Sequence, residues 1–205
     1  MVTWPVPDSP AKTPPEKGEP GSFWEDRGDR LHCGIDIHAP AGSTVVAIAD
    51  GTVIETGVQT DPAWVPYWNR TWFVLVDHQG ICIARYAELA DITVRKGDAV
   101  REGECLGHIG SVIDPGRVTG TAPAYIRTLV RSGFTAMLHL ECYRSPPGLL
   151  GEKYSGGNWF GREPPSALCD PGIILTAVGD RDRASRSLHF TPSAEILIRP
   201  EERPR

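Results

Sequence analysis

The chain has 205 residues, 40 % of them apolar, which suffices for one domain with its own core. Lys and Arg number 21 against 26 Asp and Glu, a formal charge of −5, and no basic stripe is interleaved with aromatics, which argues against a general nucleic-acid binder. No apolar run approaches the roughly 20 residues of a membrane-spanning helix, so no membrane span is expected.

The chain opens on "MVTWPVPDSPAKTPPEKGEPGSF", with six prolines in residues 1–22. Proline fixes φ and lacks an N–H, so this stretch reads as an extended lead-in and not a helix. It has no apolar h-region, so no signal peptide is expected. The protein would then stay in the cytoplasm, leave by a non-Sec route in a bacterial or phage-type setting, or have lost its leader. Residues 23–178 are expected to form one β domain, and 179–205 a C-terminal extension.

Within that domain, "STVVAIAD" and "GTVIETG" read as two strands joined at Asp50-Gly51, a strong hairpin signal between alternating apolar residues. "TWFVLVDHQGICIARYAEL" reads as a second hairpin with "DHQG" at its turn. "ITVRKGDAVREGECLGHIGSV" follows, with glycines at 97, 103, 107 and 110, a spacing suited to the tight turns of a small barrel. Helical periodicity is weak outside "APAYIRTLVRSG" at 122–133, and no solenoid repeat is visible. The expectation is a mainly antiparallel β fold with long loops.

Three loops exceed what a small β domain needs. "GVQTDPAWVPYWNR" carries Trp64, Tyr67 and Trp68; a second spans about 111–135; "YRSPPGLLGEKYSGGNWFGREPPS" carries Tyr154, Trp159 and Phe160. Long aromatic loops often wall a cleft, and Trp64, Trp68 and Trp159 are the candidate cleft residues. Packing against the sheet is the plainer role for any one of them.

Cys33, Cys82, Cys105, Cys142 and Cys169 are odd in number and lack CxxC spacing. They suit neither a disulfide framework nor a cysteine zinc site, and read as free thiols. Cys33 beside His32 and Cys142 near His139 would face away from those histidines by strand alternation.

"LHCGIDIHAP" places His32 and Asp36 four apart, and "FTAMLHLECY" supplies His139 and Glu141. On extended chain each pair shares a face. Zinc hydrolases commonly use three His or carboxylate ligands and keep a fourth position for water. His32, Asp36 and His139 would be that set, for one Zn2+ per chain. His38, His78, His108 and His189 are read as ordinary, His78 in the predicted turn.

"RLHCGIDIHAPAGSTVVAIADGTV" resembles the opening of the lysostaphin/LytM-type zinc endopeptidases: His-x-Gly-Ile-Asp, then Ala-Pro-x-Gly and Ala-x-Gly-x-Val. The resemblance continues through "VLVDH", "RYAEL", "VRKGDAVREGECLGHIGS", "LHLECY" and "DPGIIL", over about residues 20–178. It implies a β barrel-sandwich hybrid, the duplicated hybrid motif, and zinc on His32, Asp36 and His139. It also implies a peptidoglycan peptide as substrate. Two positions depart from the family. Tyr86-Ala87-Glu88 stands for Tyr-Ala-His, and Met137-Leu138-His139 for His-x-His, so both usual catalytic histidines are replaced. Glu88 is a candidate general base, since glutamate serves so in other zinc proteases. Met137 can neither move a proton nor donate a hydrogen bond. Glu141 is expected behind the ligands rather than among them.

The leading expectation is a zinc metallopeptidase domain acting on peptidoglycan peptides with an altered base. Its rivals are a zinc-binding module without turnover, recognising a cell-wall peptide or a protein, and a cytoplasmic partner-binding protein that uses the aromatic loops.

Overall fold

The computed structural model describes residues 2–133 and 135–176. The predicted extension at 179–205 and His189 lie outside them.

Among the described residues the chain forms twelve strands, one helix of nine residues, three short 3-10 turns and a helical stretch at 171–176. The strands are β1 (Leu31–His32), β2 (Ile35–His38), β3 (Thr44–Val46), β4 (Gly51–Thr60), β5 (Thr71–His78), β6 (Cys82–Ile92), β7 (Ala99–Val100), β8 (Cys105–Ile109), β9 (Met137–Tyr143), β10 (Tyr154–Ser155), β11 (Asn158–Trp159) and β12 (Leu168–Cys169). The helix, α1 (Ala124–Ser132), lies within the stretch predicted at 122–133 and ends on Gly133 in the left-handed region. All strand pairs are antiparallel, so the mainly-β antiparallel expectation holds. The main sheet runs β12-β9-β6-β5-β4-β7, with β2 on β9 and with β8 joining β6 to β3; the three-strand sheet is β1-β11-β10. These pairings leave the main sheet open rather than closed into a barrel.

β6 organises the molecule. One of its edges pairs β5 from Cys82 to Leu89. Along the other, Ile83 to Ala87 pair β9, and Leu89 to Ile92 pair β8. The predicted β5–β6 hairpin forms, with His78 opposite Cys82. His78 itself is the last residue of β5 and fully buried, not a turn residue.

The hairpin predicted at Asp50-Gly51 does not form. β3 pairs β8, and β4 pairs β5 and β7. Ala47, Ile48 and Ala49 are all buried, so this stretch crosses the core instead of alternating along a strand. Its backbone bonds elsewhere: Thr3 donates to the Ile48 carbonyl, Ala47 to the Glu104 carbonyl, and Ile48 to the Tyr86 hydroxyl.

The lead-in is extended but belongs to the core. Val6 is fully buried among Val45, Ile48 and Leu106, and Val46 donates to the Pro5 carbonyl. The predicted loops contain more order than expected. β4 continues to Thr60, and the third loop folds back as the β10–β11 hairpin. The five cysteines are free, and Cys82 Sγ lies 3.5 Å from Cys142 Sγ in the core. No helix among the described residues is long and apolar enough to cross a membrane.

Candidate metal centre

Three strands bring the metal-ligand candidates together. Asp36 on β2 is the register partner of His139 on β9, and His139 is in turn the partner of Ala87 on β6. β1 carries His32 to the same place by pairing with β11. Between them the chain presses onto β9 at Gly34, where a Cβ would collide with the Leu140 carbonyl oxygen. Only glycine permits that approach.

His32 Nε2, Asp36 Oδ1 and His139 Nδ1 form a near-equilateral triangle. Its edges are 3.0 Å between the histidines, 3.2 Å from His32 to Asp36 and 2.9 Å from His139 to Asp36. A tetrahedral zinc with ligand bonds of about 2.0–2.1 Å spaces its donors by about 3.3 Å. The donor types and spacing therefore fit zinc with one position left over. All three side chains are buried.

Each donor is oriented from behind. His32 Nδ1 donates to the Ser22 carbonyl at 2.9 Å, which directs Nε2 to the site. Arg27 Nη2 donates to Asp36 Oδ2 at 2.8 Å, leaving Oδ1 for the triangle. His139 Nε2 stands 3.1 Å from Glu141 Oε1. Glu141 is fully buried and accepts from the hydroxyls of Tyr143 and Tyr154. Gly157, at φ +85°, lies so close to the His139 ring that a Cβ would meet Nε2 at 2.5 Å.

The electrostatics follow from this packing. Burial alone would raise Asp36, but the His32 and His139 rings hold it well below the usual carboxylate range. Burial alone would lower His139, but hydrogen bonding to Asp36 and Glu141 pushes it up to about 10 in the metal-free protein. Burial opposes the charge on Glu141 too, yet His139 and Arg85 keep it below its ordinary value.

Glu88 follows Ala87 at the point where β6 leaves β9 for β8. The β5–β6 register shifts there, and Glu88 adopts φ +68°. Its Oε2 is out of solvent, with no hydrogen-bond partner among the described residues. Burial, then the nearby Asp36 charge, raises its carboxyl to about 7. Met137 begins β9, half-buried.

The candidate cleft residues divide. Trp159 is buried on β11, one residue after Asn158, the partner of His32. Trp64 is 60 % exposed and Trp68 half-buried, on a segment tied to the residues after β8. There Trp68 bridges Ile113, and Asn69 Nδ2 donates to the Ser111 carbonyl. The neighbouring Gly110 donates to the Glu88 carbonyl, so this segment reaches the Glu88 end of β6.

Sequence reasoning missed Ser22, Arg27 and Gly157 as supports of the ligands. They lie in irregular segments whose placement has no local signature. Tyr143 was within reach, since alternation on β9 puts it on the face of His139 and Glu141.

Residues 30–123 match the family described as Peptidase family M23. Among similar proteins, the chain is 32 % identical over 80 residues to glycyl-glycine endopeptidase ALE-1 of Staphylococcus capitis, covering 39 % of this chain and 20 % of that protein. It is 30 % identical over 81 residues to lysostaphin of Staphylococcus simulans, covering 40 % and 15 %. A solved structure of a putative glycyl-glycine endopeptidase LytM from Ruminococcus gnavus aligns at TM-score 0.47 and 22 % identity, over 88 % of this chain and 61 % of that one. The matches thus span a fifth or less of these two curated relatives. The family match takes in His32, Asp36 and Glu88, while His139 lies beyond it and reaches the site through β9. Residues 30–123 thus resemble peptidase family M23, and the relatives that match there include endopeptidases of the lysostaphin type.

Proposed function

We propose that the domain is a zinc peptidase acting on peptidoglycan peptides, with Glu88 as its general base. One observation carries the reading: the unpartnered Glu88 Oε2 stands in the electrostatic field of a closed triangle of zinc-type donors. Zinc held there would polarise the scissile carbonyl and lower the pKa of the attacking water. His32, Asp36 and His139 would hold it. Glu88 accepts a proton from that water and can return it to the leaving amine. A nearby cation favours its charged form, which offsets the rise caused by burial. The substrate class is suggested by the relatives, whose names include glycyl-glycine endopeptidase and peptidoglycan DD-endopeptidase.

The test is Glu88→Gln, which keeps size and removes the base. Cleavage of purified peptidoglycan peptides should fall by about 10²–10⁴-fold, with zinc content unchanged. Cleavage at the wild-type rate would sink the role of Glu88.

Met137 favours a second reading. A thioether cannot donate to a developing oxyanion, and one lost donor costs about 10²–10³-fold in rate. A wild type that binds such peptides without cleaving them, and gains no activity from Glu88→His with Met137→His, would be a zinc-dependent binding module.

A further inference from the structure

On β9, Met137 stands where the resemblance expects a hydrogen-bond donor, and the next strand places a histidine opposite it. In the register of β2 on β9, Asp36 faces His139, and His38 faces Met137. Directly opposed residues share a face of the sheet and bring their Cβ atoms to about 4.5–5.5 Å. His38 and Met137 are therefore the next pair along the face that carries Asp36 and His139. Met137 occupies the place where the resemblance expects a catalytic histidine, and an imidazole stands across from it.

The surroundings suit a substrate contact. His38 is half-buried. With Pro40, Ser111, Thr135 and Ala136 it lines a groove of about 460 Å³. Ser111 bridges Ala136 at the start of β9, and the preceding Gly110 donates to the Glu88 carbonyl. The groove thus holds His38, the residue opposed to Met137, and Ser111, the neighbour of the Gly110 that donates to the Glu88 carbonyl. Peptide lying in it would meet His38.

Resting on the peptidase reading above, we infer that His38 donates a hydrogen bond to the scissile carbonyl oxygen as it gains charge, supplying from β2 the donor that Met137 removes from β9. The role needs one ring N–H, which imidazole carries in either protonation state. It involves no proton transfer and breaks no bond.

The experiment compares two probes of the zinc-loaded protein by calorimetry. One is a peptidoglycan-type peptide; the other is its phosphinic pseudopeptide, whose tetrahedral oxygens copy the charged state. His38→Ala should weaken the phosphinic probe by about a hundredfold and the plain peptide by less than about threefold, since it removes a contact that matters only as charge develops. Zinc by elemental analysis should stay at the wild-type level. His38→Gln, which keeps an N–H donor, should recover part of the loss. His38→Ala with Met137→His, which returns the donor to β9, should recover most of it. Unchanged affinity of His38→Ala for the phosphinic probe overturns the inference and leaves Glu88 and the zinc site standing. Loss of zinc in His38→Ala also overturns it, by making the residue structural. A wild type that neither cleaves the peptide nor prefers the phosphinic probe removes the peptidase reading, and His38 with it.

Discussion

His139 joins the two layers of the site. Its Nδ1 belongs to the donor triangle, while its Nε2 faces a buried carboxylate held by two tyrosine hydroxyls. Those carboxylates keep the metal-free ring protonated well above neutral pH. A metal must displace that proton to reach Nδ1. Below about pH 10 the metal-free protein therefore holds one more proton at this residue than the loaded protein. Zinc affinity should rise about tenfold per pH unit between about pH 7 and 9, with a proton released on binding. Titration in buffers of different ionisation enthalpy measures both; an affinity flat across that range would contradict the assignment. His139→Ala should abolish stoichiometric zinc.

At the scale of elements, β6 serves the core as well as the site. Tyr86 points into the core, where its hydroxyl accepts from the Ile48 N–H at 2.9 Å and donates to His78 Nε2 at 2.8 Å. Tyr86→Phe should cost about 1–3 kcal/mol, because it leaves a buried N–H without an acceptor. The urea midpoint should fall with an unchanged slope. An unshifted midpoint would mean that water replaces the hydroxyl. The same strand shows what could be read in advance. The β5–β6 hairpin was legible because alternation and a turn lie side by side in the chain. Asp50-Gly51 offered an equally clear turn and misled, since a turn signal reverses the chain without saying which strand it will pair. His32, Asp36 and His139 were legible from residue type and family spacing. The register that sets His38 against Met137 was not, because pairing between distant strands is fixed by the packing of both. Nor was the left-handed backbone of Glu88, for one extra residue in a strand leaves no mark in composition.

Across the whole molecule, the proline-rich start is structural. Val6 fills the core, Trp4 Nε1 donates to Ser9 Oγ at 2.8 Å, and the segment ends at Ser22, whose carbonyl orients His32. Val6→Ala should destabilise by about 2 kcal/mol, from lost burial and the cavity left behind. Thermal or urea unfolding reads this directly, and a shift within error would show that the lead-in detaches without loss. The handover of β6 from β9 to β8 bears on the history of such a site. Sheet ladders usually restrict which residues a position tolerates, because a new side chain must suit neighbours on both flanks. At residue 88 the ladder is already interrupted, and the left-handed backbone sets the direction in which the side chain leaves the strand. A lineage could exchange the group presented there, one reactive headpiece for another, without re-registering a strand.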